Sequence, residues 1–185
     1  MLDKNLLLVD IGGTNIRYAY SNIGDSGFVS ENKAELDSLN DFDNLMSVLL
    51  AESDVKNIVF SVAGPKVNNS IKMTNRNFEI DADEIRKKFN LESCYLLNDW
   101  ESIGYSIRTF SENDFDNFKE GQPFNDTFLV IGPGTGLGAS VISGNNVIAT
   151  EIGNTNLGLS ALKSLLEINS DEFNVLEDVI SGTGI

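Results

Sequence analysis

The sequence contains no histidine and a single cysteine. Without histidine, the chain has no imidazole for acid–base catalysis or for metal binding, and carboxylates are the natural general bases. A single cysteine, Cys94, excludes a disulfide framework within the chain and is compatible with a reducing cytosol. Because Cys94 lies in the apolar run CYLL, we expect its thiol to be buried.

Basic residues and long apolar runs are also scarce. The chain has 13 Lys and Arg against 28 Asp and Glu, which gives a net charge of -15 at pH 7. Nucleic acids and anionic membranes bind clustered positive charge, so neither is an expected partner. No apolar run approaches the length of a membrane span. The opening MLDKNLLLVD has a short apolar run between acids, and we expect it to begin the fold rather than form a signal peptide.

The pattern along the chain predicts an α/β protein. A length of 185 residues, with 41% hydrophobic and 22% charged residues, fits one domain or one small domain with part of another. Apolar residues at helical spacing over 41–51 precede a buried strand over 58–62, which predicts a crossover unit. Asp81, with Glu84 three residues later, predicts the N-cap of another helix. Two further helices are predicted over 160–166 and 171–180.

A glycine turn joins two predicted strands in Leu6 to Tyr20, LLLVDIGGTNIRYAY. Two adjacent glycines let backbone N–H groups approach an anion without a Cβ in the way, and Thr14 and Asn15 add donors. Asp10, at the mouth of the turn, could hold Mg²⁺ through water. Two interpretations remain open at this point, a nucleotide phosphate site and an ordinary hairpin turn.

A second glycine loop follows the predicted strand over 127–131, with the sequence GPGTGLG from Gly132 to Gly138. Gly134 to Ala139 formally fits a dinucleotide-binding fingerprint, but that motif requires a helix after its glycines. Here the next segment, ASVIS, has the pattern of a strand. The arrangement therefore repeats the opening hairpin, and two such turns indicate a phosphate site more strongly than either alone.

Acidic and amide side chains follow the predicted strand over 95–97, at Asn98 and Asp99. Ligand sites of open α/β sheets gather at the carboxyl ends of strands, so Asp10 and Asp99 could line one cleft. The alternative is that Asp99 only caps the helix that follows it.

Seven short motifs occur in the order VDIGGTNIR, VAGP, MTN, LLNDWES, IGPGTGLG, TEIGN and EDVISGTG. This ordered series resembles the bacterial glucokinases, hexokinase-type sugar kinases of the actin-like ATPase superfamily, over essentially the whole chain. The resemblance implies ribonuclease-H-like α/β lobes, each a mixed sheet with flanking helices. We expect a small lobe over 1–108 and an incomplete large lobe over 109–185.

The resemblance also implies an activity and its site. The activity is ATP-dependent phosphorylation of D-glucose at the 6-hydroxyl, with glucose 6-phosphate and ADP as products, in the cytoplasm and within glycolysis. Asp99 corresponds to the general base. The nucleotide-binding residues implied are Asp10, Gly12, Gly13, Thr14, Asn15, Gly134, Thr135 and Gly136, with Mg²⁺ held by Asp10 through water. The sugar-binding residues implied are Asn98, Asp99, Glu151, Asn154 and Glu177.

The chain departs from the family pattern in two places. Asn154 stands where family members usually carry histidine, and Ile152 replaces a glycine, so the reaction class is better defined than the preferred sugar. The chain ends at Ile185, where the family's larger lobe is only partly built.

These departures keep two other functions open. The first alternative is a truncated, non-catalytic sugar-binding or regulatory module of the same fold. The second is a different sugar kinase of the broader repressor and kinase family, against which the lack of a clustered cysteine zinc motif counts. An exposed apolar face on the incomplete lobe would favour a homodimer.

Overall fold

The computed structural model describes residues 3–12, 15–35, 38–73, 79–169 and 171–182. The chain divides into two compact units, Met1–Asp99 and Trp100–Ile185. The sequence placed this boundary later, after residue 108. The difference arises because the helix that begins at Asp99 packs on the sheet of the second unit, as described below.

Within its described residues, the first unit contains ten helices and strands. In chain order they are β1 (Leu6–Ile11), β2 (Asn15–Ser21), β3 (Val29–Glu35), α1 (Leu39–Ala51), β4 (Asn57–Val62), β5 (Lys66–Val67), β6 (Ser70–Lys72), β7 (Glu79–Asp81), α2 (Ala82–Lys88) and β8 (Ser93–Asn98). Five strands form a mixed sheet in the order β3-β2-β1-β4-β8. β1 pairs antiparallel with β2, and β1, β4 and β8 are mutually parallel. The predicted α/β fold with a crossover unit is therefore confirmed.

Helix α1 forms because its apolar residues recur at helical spacing and its first turn is capped. The Ser38 hydroxyl accepts a hydrogen bond from the Asp41 amide at 3.3 Å, which satisfies one of the free N–H groups at the helix start. Phe42, Met46 and Leu49 are buried in the core of this unit. The Phe42 ring packs against that of Phe60 on β4, with centroids 5.9 Å apart. This packing fixes α1 against the parallel strands.

The segment between β4 and β8 contains both a confirmed and a missed element. Asp81 caps α2 as predicted, since its carboxylate accepts a hydrogen bond from the Glu84 amide at 2.9 Å. The small antiparallel sheet β5-β6-β7 was not predicted. Its strands have two or three residues each, too few to show an alternating pattern in the sequence.

The second unit is built on a three-stranded antiparallel sheet. Its elements are α3 (Asp99–Ser106, of which Asp99 belongs to the first unit), β9 (Thr127–Pro133), β10 (Leu137–Ser143), β11 (Asn146–Thr150) and α4 (Leu159–Leu165). The strand order β11-β10-β9 repeats the order β3-β2-β1 of the first unit. A glycine-containing turn connects β1 to β2 in the first unit, and another connects β9 to β10 in the second. A Cβ added to Gly104 of α3 would lie 2.5 Å from Val147 Cγ1 and 2.8 Å from Ser140 Oγ, so α3 lies directly on this sheet.

One predicted helix is wrong. Residues 171–180 contain only a 3-10 turn, Leu176–Asp178, whereas the helix predicted over 160–166 is present as α4. The Asp178 carboxylate accepts hydrogen bonds from the backbone N–H groups of Asn174 at 2.7 Å and Val175 at 2.9 Å. These bonds hold the backbone in a capped turn, because an Asp side chain competes with the helix for nearby N–H groups. They also lower the pKa of Asp178, since they favour the ionised carboxylate.

In the part of the chain that the structure describes, no helix is both long and apolar enough to cross a membrane.

Candidate active site

Asp10 lies near the carboxyl end of β1 with its side chain half exposed. Ser61, its register partner on β4, donates a hydroxyl hydrogen bond to Asp10 Oδ1 at 3.0 Å. Arg17, its register partner on β2, places Nη1 3.9 Å from Asp10 Oδ2. The two neighbouring strands thus hold an accessible carboxylate between a hydroxyl and a guanidinium.

The first glycine turn is closed by its own backbone. The Gly12 amide donates a hydrogen bond to the carbonyl oxygen of Asn15 at 3.0 Å. This N–H group therefore stabilises the hairpin turn. Gly13 and Thr14, the other predicted phosphate donors of this turn, lie outside the described residues. Also outside them lie Thr74 and Asn75 of the MTN motif and Thr183 and Gly184 of the last motif.

Asn98 and Asp99 lie at the same edge of the sheet as Asp10. The register aligns Ile11 with Val62 and Val62 with Asn98, so β1 and β8 end together on either side of β4. Neighbouring strands lie about 4.8 Å apart, which places the ends of β1 and β8 about 10 Å from each other. The register therefore places the ends of β1 and β8 at one edge of the sheet, and it stays a prediction that Asp10 and Asp99 line one cleft there.

The amide side chain of Asn98 is held in place. Asn98 is buried, and its Nδ2 donates a hydrogen bond to the Gly64 carbonyl oxygen at 2.8 Å. Gly64 has a φ of 145°, and a Cβ there would lie 2.8 Å from the Lys72 carbonyl oxygen, so only glycine fits. Asp99, partly buried, follows as the first residue of α3.

The second glycine loop is compact and open to solvent at its tip. The Gly134 amide donates to the Gly136 carbonyl at 2.8 Å, and the Gly134 carbonyl accepts from the Gly182 amide at 2.7 Å. Thr135, at the tip, is exposed. The loop therefore keeps a defined shape while presenting its tip to solvent.

Glu177 lies against this loop. Its Oε2 accepts a hydrogen bond from the Leu137 amide at 3.3 Å. A Cβ added to Gly136 would lie 2.8 Å from that same oxygen, and one added to Gly153 would lie 3.0 Å from it. The two glycines thus make room for the carboxylate. Nothing in the sequence indicated this contact, and the family resemblance associated Glu177 only with the sugar.

Glu151 and Asn154 contact each other across a 3-10 turn. Asn154 Nδ2 donates to Glu151 Oε2 at 3.3 Å, and both side chains are exposed. The Thr155 carbonyl oxygen accepts a hydrogen bond from the Leu176 amide at 2.9 Å. This bond joins the turn to the one that carries Glu177. The structure therefore brings the three second-unit residues of the predicted sugar site onto two adjacent turns.

Sequence reasoning missed two residues, Ser61 beside Asp10 in the first unit and Trp100 beside the second glycine loop in the second unit. Ser61 is the polar residue in the apolar strand segment IVFSV, a signal that could have identified it. Trp100 directly follows Asp99, and its indole lies on Gly132 and Gly138, which flank the second loop. Its pairing with those glycines depends on tertiary structure.

The described residues contain no cluster of three or more acidic or cysteine side chains that could hold a metal ion alone. Mg²⁺ seldom requires such a cluster, because it keeps several waters and takes its other ligands from one or two carboxylates and substrate phosphates. The accessible carboxylate of Asp10 fits that mode of binding.

Comparisons with known proteins agree with this fold. The glucokinase family model matches residues 7–185. The glucokinase of Nostoc punctiforme is 29% identical, over 97% of this chain and 58% of its own length. The crystal structure of glucokinase from an Antarctic psychrotroph superposes with a TM-score of 0.73 at 26% identity, covering 100% of this chain and 62% of that one. Glucokinase from Balamuthia mandrillaris in complex with glucose gives a TM-score of 0.67 at 21% identity, covering 98% and 60%.

The chain thus spans less than two thirds of the length of these relatives. The match nevertheless takes in both units, from β1 to the last described turn. On this basis, the chain belongs to the glucokinase family.

Proposed function

We propose that this chain carries the phosphate- and sugar-binding residues of an ATP-dependent kinase that phosphorylates D-glucose at its 6-hydroxyl. The observation that carries the proposal is the common edge of β1, β4 and β8, at which Asp10, Ser61 and the Asn98–Asp99 pair all lie. In a member of the glucokinase family, these groups have the chemistry that phosphoryl transfer to a hydroxyl requires.

The nucleotide phosphates would bind at the glycine turns. Thr135 and the Gly136 amide would supply hydroxyl and backbone donors, while the Gly134 amide closes the turn. Such donors matter because the chain's net charge of -15 repels phosphate overall. Asp10 would hold Mg²⁺ through water. Bound there, the ion would neutralise negative charge on the phosphates.

Asp99 would act as the general base. Its carboxylate would accept the proton of the 6-hydroxyl as that oxygen bonds to the γ-phosphorus. The bond from the γ-phosphorus to the bridging oxygen would break, and its electron pair would leave with ADP. The start of a helix favours a negatively charged side chain, which suits a base at the first position of α3.

The sugar would be oriented by amide and carboxylate groups. Each sugar hydroxyl both donates and accepts hydrogen bonds, and Asn98, Glu151, Asn154 and Glu177 offer complementary partners. The hydrogen bond from Asn98 to the Gly64 carbonyl limits the positions its amide can adopt before the sugar binds. The proposed setting is the cytoplasm, where glucose 6-phosphate would enter glycolysis.

We also propose that two copies associate through β9. This strand ends the sheet order β11-β10-β9, carries no charged residue, and exposes Phe128, Leu129 and Ile131. Two copies of an acidic chain repel each other least where the surface is uncharged. Light scattering after gel filtration should show a dimer, and Leu129→Lys should shift it to a monomer. A monomeric wild-type chain would contradict this assignment.

The catalytic proposal is tested by a coupled assay of ADP release with glucose, ATP and Mg²⁺. We expect glucose-dependent release that falls by about 100-fold or more in Asp99→Asn, the range typical of a lost general base. Asp116→Asn makes the same charge change at an exposed position and should leave the rate unchanged. Glucose binding in calorimetry without ADP release would contradict catalysis and support the non-catalytic sugar-binding function.

A further inference from the structure

The indole of Trp100 lies across the two strands that flank the second glycine loop. A Cβ built on Gly138 of β10 would lie 1.5 Å from Trp100 Nε1, and one built on Gly132 of β9 would lie 2.3 Å from Trp100 Cη2. Gly132 and Gly138 are register partners. The pyrrole side of the ring therefore covers β10 and the benzene side covers β9. Both strands have glycine at this point, and a Cβ there would overlap the ring.

A second close contact extends this packing along α3. Gly104 lies four residues after Trp100, so the two residues share one face of the helix. Gly104 packs on Ser140 of β10 and Val147 of β11. Together the two residues seat α3 across all three strands of the sheet, with Trp100 at the end that carries the loop.

We propose that Trp100 is a positioning residue for nucleotide binding, whose indole restricts the twist of β9 and β10 and so keeps the Gly134–Gly136 loop in its phosphate-binding shape. The proposal rests on the proposed function in one respect, namely that this loop binds nucleotide phosphate. It assigns to Trp100 a role that its neighbour Asp99, the proposed base, does not share.

The physical reason is the shortness of the loop. Three residues separate Pro133, at the end of β9, from Leu137, at the start of β10, and the hydrogen bond from the Gly134 amide to the Gly136 carbonyl closes the turn between them. The ladder hydrogen bonds between β9 and β10 set the separation of the two strands, but a glycine pair has no side chains to restrict their twist there. The rigid indole supplies that restriction, and with it the orientation of the backbone N–H groups at the tip.

The test uses the 185-residue chain and its affinity for MgADP, measured by calorimetry in parallel with its affinity for glucose. Trp100→Leu removes the ring, Trp100→Phe keeps an aromatic ring, and Tyr105→Leu removes an exposed aromatic side chain from the same helix as a control. We expect Trp100→Leu to weaken MgADP binding about tenfold, or about 1.4 kcal/mol, with glucose affinity unchanged. Trp100→Phe should recover part of the loss, and Tyr105→Leu should bind as the wild type does.

A paired substitution tests the contact itself. Gly138→Ala places a methyl group where the indole lies, so by itself it should weaken MgADP binding as Trp100→Leu does. In the Trp100→Leu background, the same alanine should add no further loss, because the ring that it displaces is already absent. Additive losses would show that the two positions act separately and would overturn the proposal.

The remaining outcomes are distinct. If Trp100→Leu lowers the melting temperature but binds MgADP as tightly as the wild type, the indole is only a packing residue and the positioning role is wrong. If the wild-type chain itself binds no MgADP, the assignment of the loop to phosphate is wrong, and the role of Trp100 in nucleotide binding is wrong with it.

Discussion

The carboxylate of Glu177 accepts a hydrogen bond from the backbone amide of Leu137, the residue at which β10 begins. The two residues are 40 positions apart in the chain. The contact ties the turn that carries Glu177 to the end of the second glycine loop. Glu177 therefore supports the loop from one side while the Trp100 indole covers its base from another position in the same unit.

Glu177→Ala should weaken the binding of both MgADP and glucose. A lost hydrogen bond to a charged acceptor is worth about 1.5–3 kcal/mol, which corresponds to about tenfold or more in affinity. Glu177→Gln keeps an acceptor oxygen and should lose less. Calorimetry with each ligand separates the two effects. Loss of glucose binding with MgADP affinity intact would show that Glu177 serves the sugar alone.

Ser61→Ala should raise the Mg²⁺ concentration needed for half-maximal ADP binding. Its hydroxyl donates to Asp10 Oδ1, and a net contribution of about 1 kcal/mol to the orientation of that carboxylate corresponds to about fivefold. Titration of Mg²⁺ at fixed ADP measures the shift. Ser26→Ala, at an exposed position of the same unit, is the control. An unchanged Mg²⁺ requirement would mean that the Ser61 hydroxyl does not contribute to the orientation of the Asp10 carboxylate for metal binding.

Asn154→Ala should weaken glucose binding about threefold. The Asn154 amide holds the Glu151 carboxylate, and ordering a long side chain at the moment of binding costs about 0.5–1.5 kcal/mol. Asn154→His restores the residue usual in the family and adds a histidine to a sequence that has none. Glucose affinity of that variant should therefore vary with pH between about 6 and 7. A wild-type affinity with the same pH dependence would contradict this explanation.

Cys94→Ala should reduce the loss of stability at alkaline pH. Burial raises the pKa of the Cys94 thiol to about 12 in the folded chain, from a value of 9.0 for an ordinary thiol. The contribution of the buried thiol to the free energy of unfolding is therefore complete below pH 9. It declines from pH 9 toward pH 12, because over that interval only the unfolded chain releases the thiol proton. Denaturant unfolding at about pH 8 and about pH 10 measures the effect.

The raised pKa of Tyr20, another consequence of burial, affects the wild type and the Cys94→Ala variant equally and so cancels in their comparison. The free energy of unfolding should fall more in the wild type than in the variant over this pH interval. Equal losses would mean that the thiol ionises as easily in the folded chain as in the unfolded one.

Much of the fold was predictable because it depends on local patterns. Each of three features depends on no more than about fifteen neighbouring residues: the apolar spacing of α1, the Asp81 cap of α2, and the glycine hairpins. The helix expected over 171–180 failed for an equally local reason, since the Asp178 side chain takes two N–H groups that a helix would use. Periodicity alone does not show that competition.

The candidate site was predictable only in part. Asp10, Asp99 and the glycine turns were predicted because strand ends and glycine pairs are visible in the sequence, whereas Glu151 and Glu177 were predicted only from the family resemblance. What each group contacts depends on register and on residues distant in the chain, as for Asp10 with Ser61 or Glu177 with Leu137. The sequence could thus indicate which residue types the candidate site contains. Only the three-dimensional structure shows which hydrogen bonds hold them in place.

The packing of Trp100 on Gly132 and Gly138 has a consequence for the evolution of the family. The three residues share one small volume, so a side chain gained at either glycine position must displace the ring. A lineage could accept alanine at position 138 only with, or after, a smaller residue at position 100. Related sequences should therefore change at these three positions together, and a sequence with a large ring and an added methyl group should be selected against.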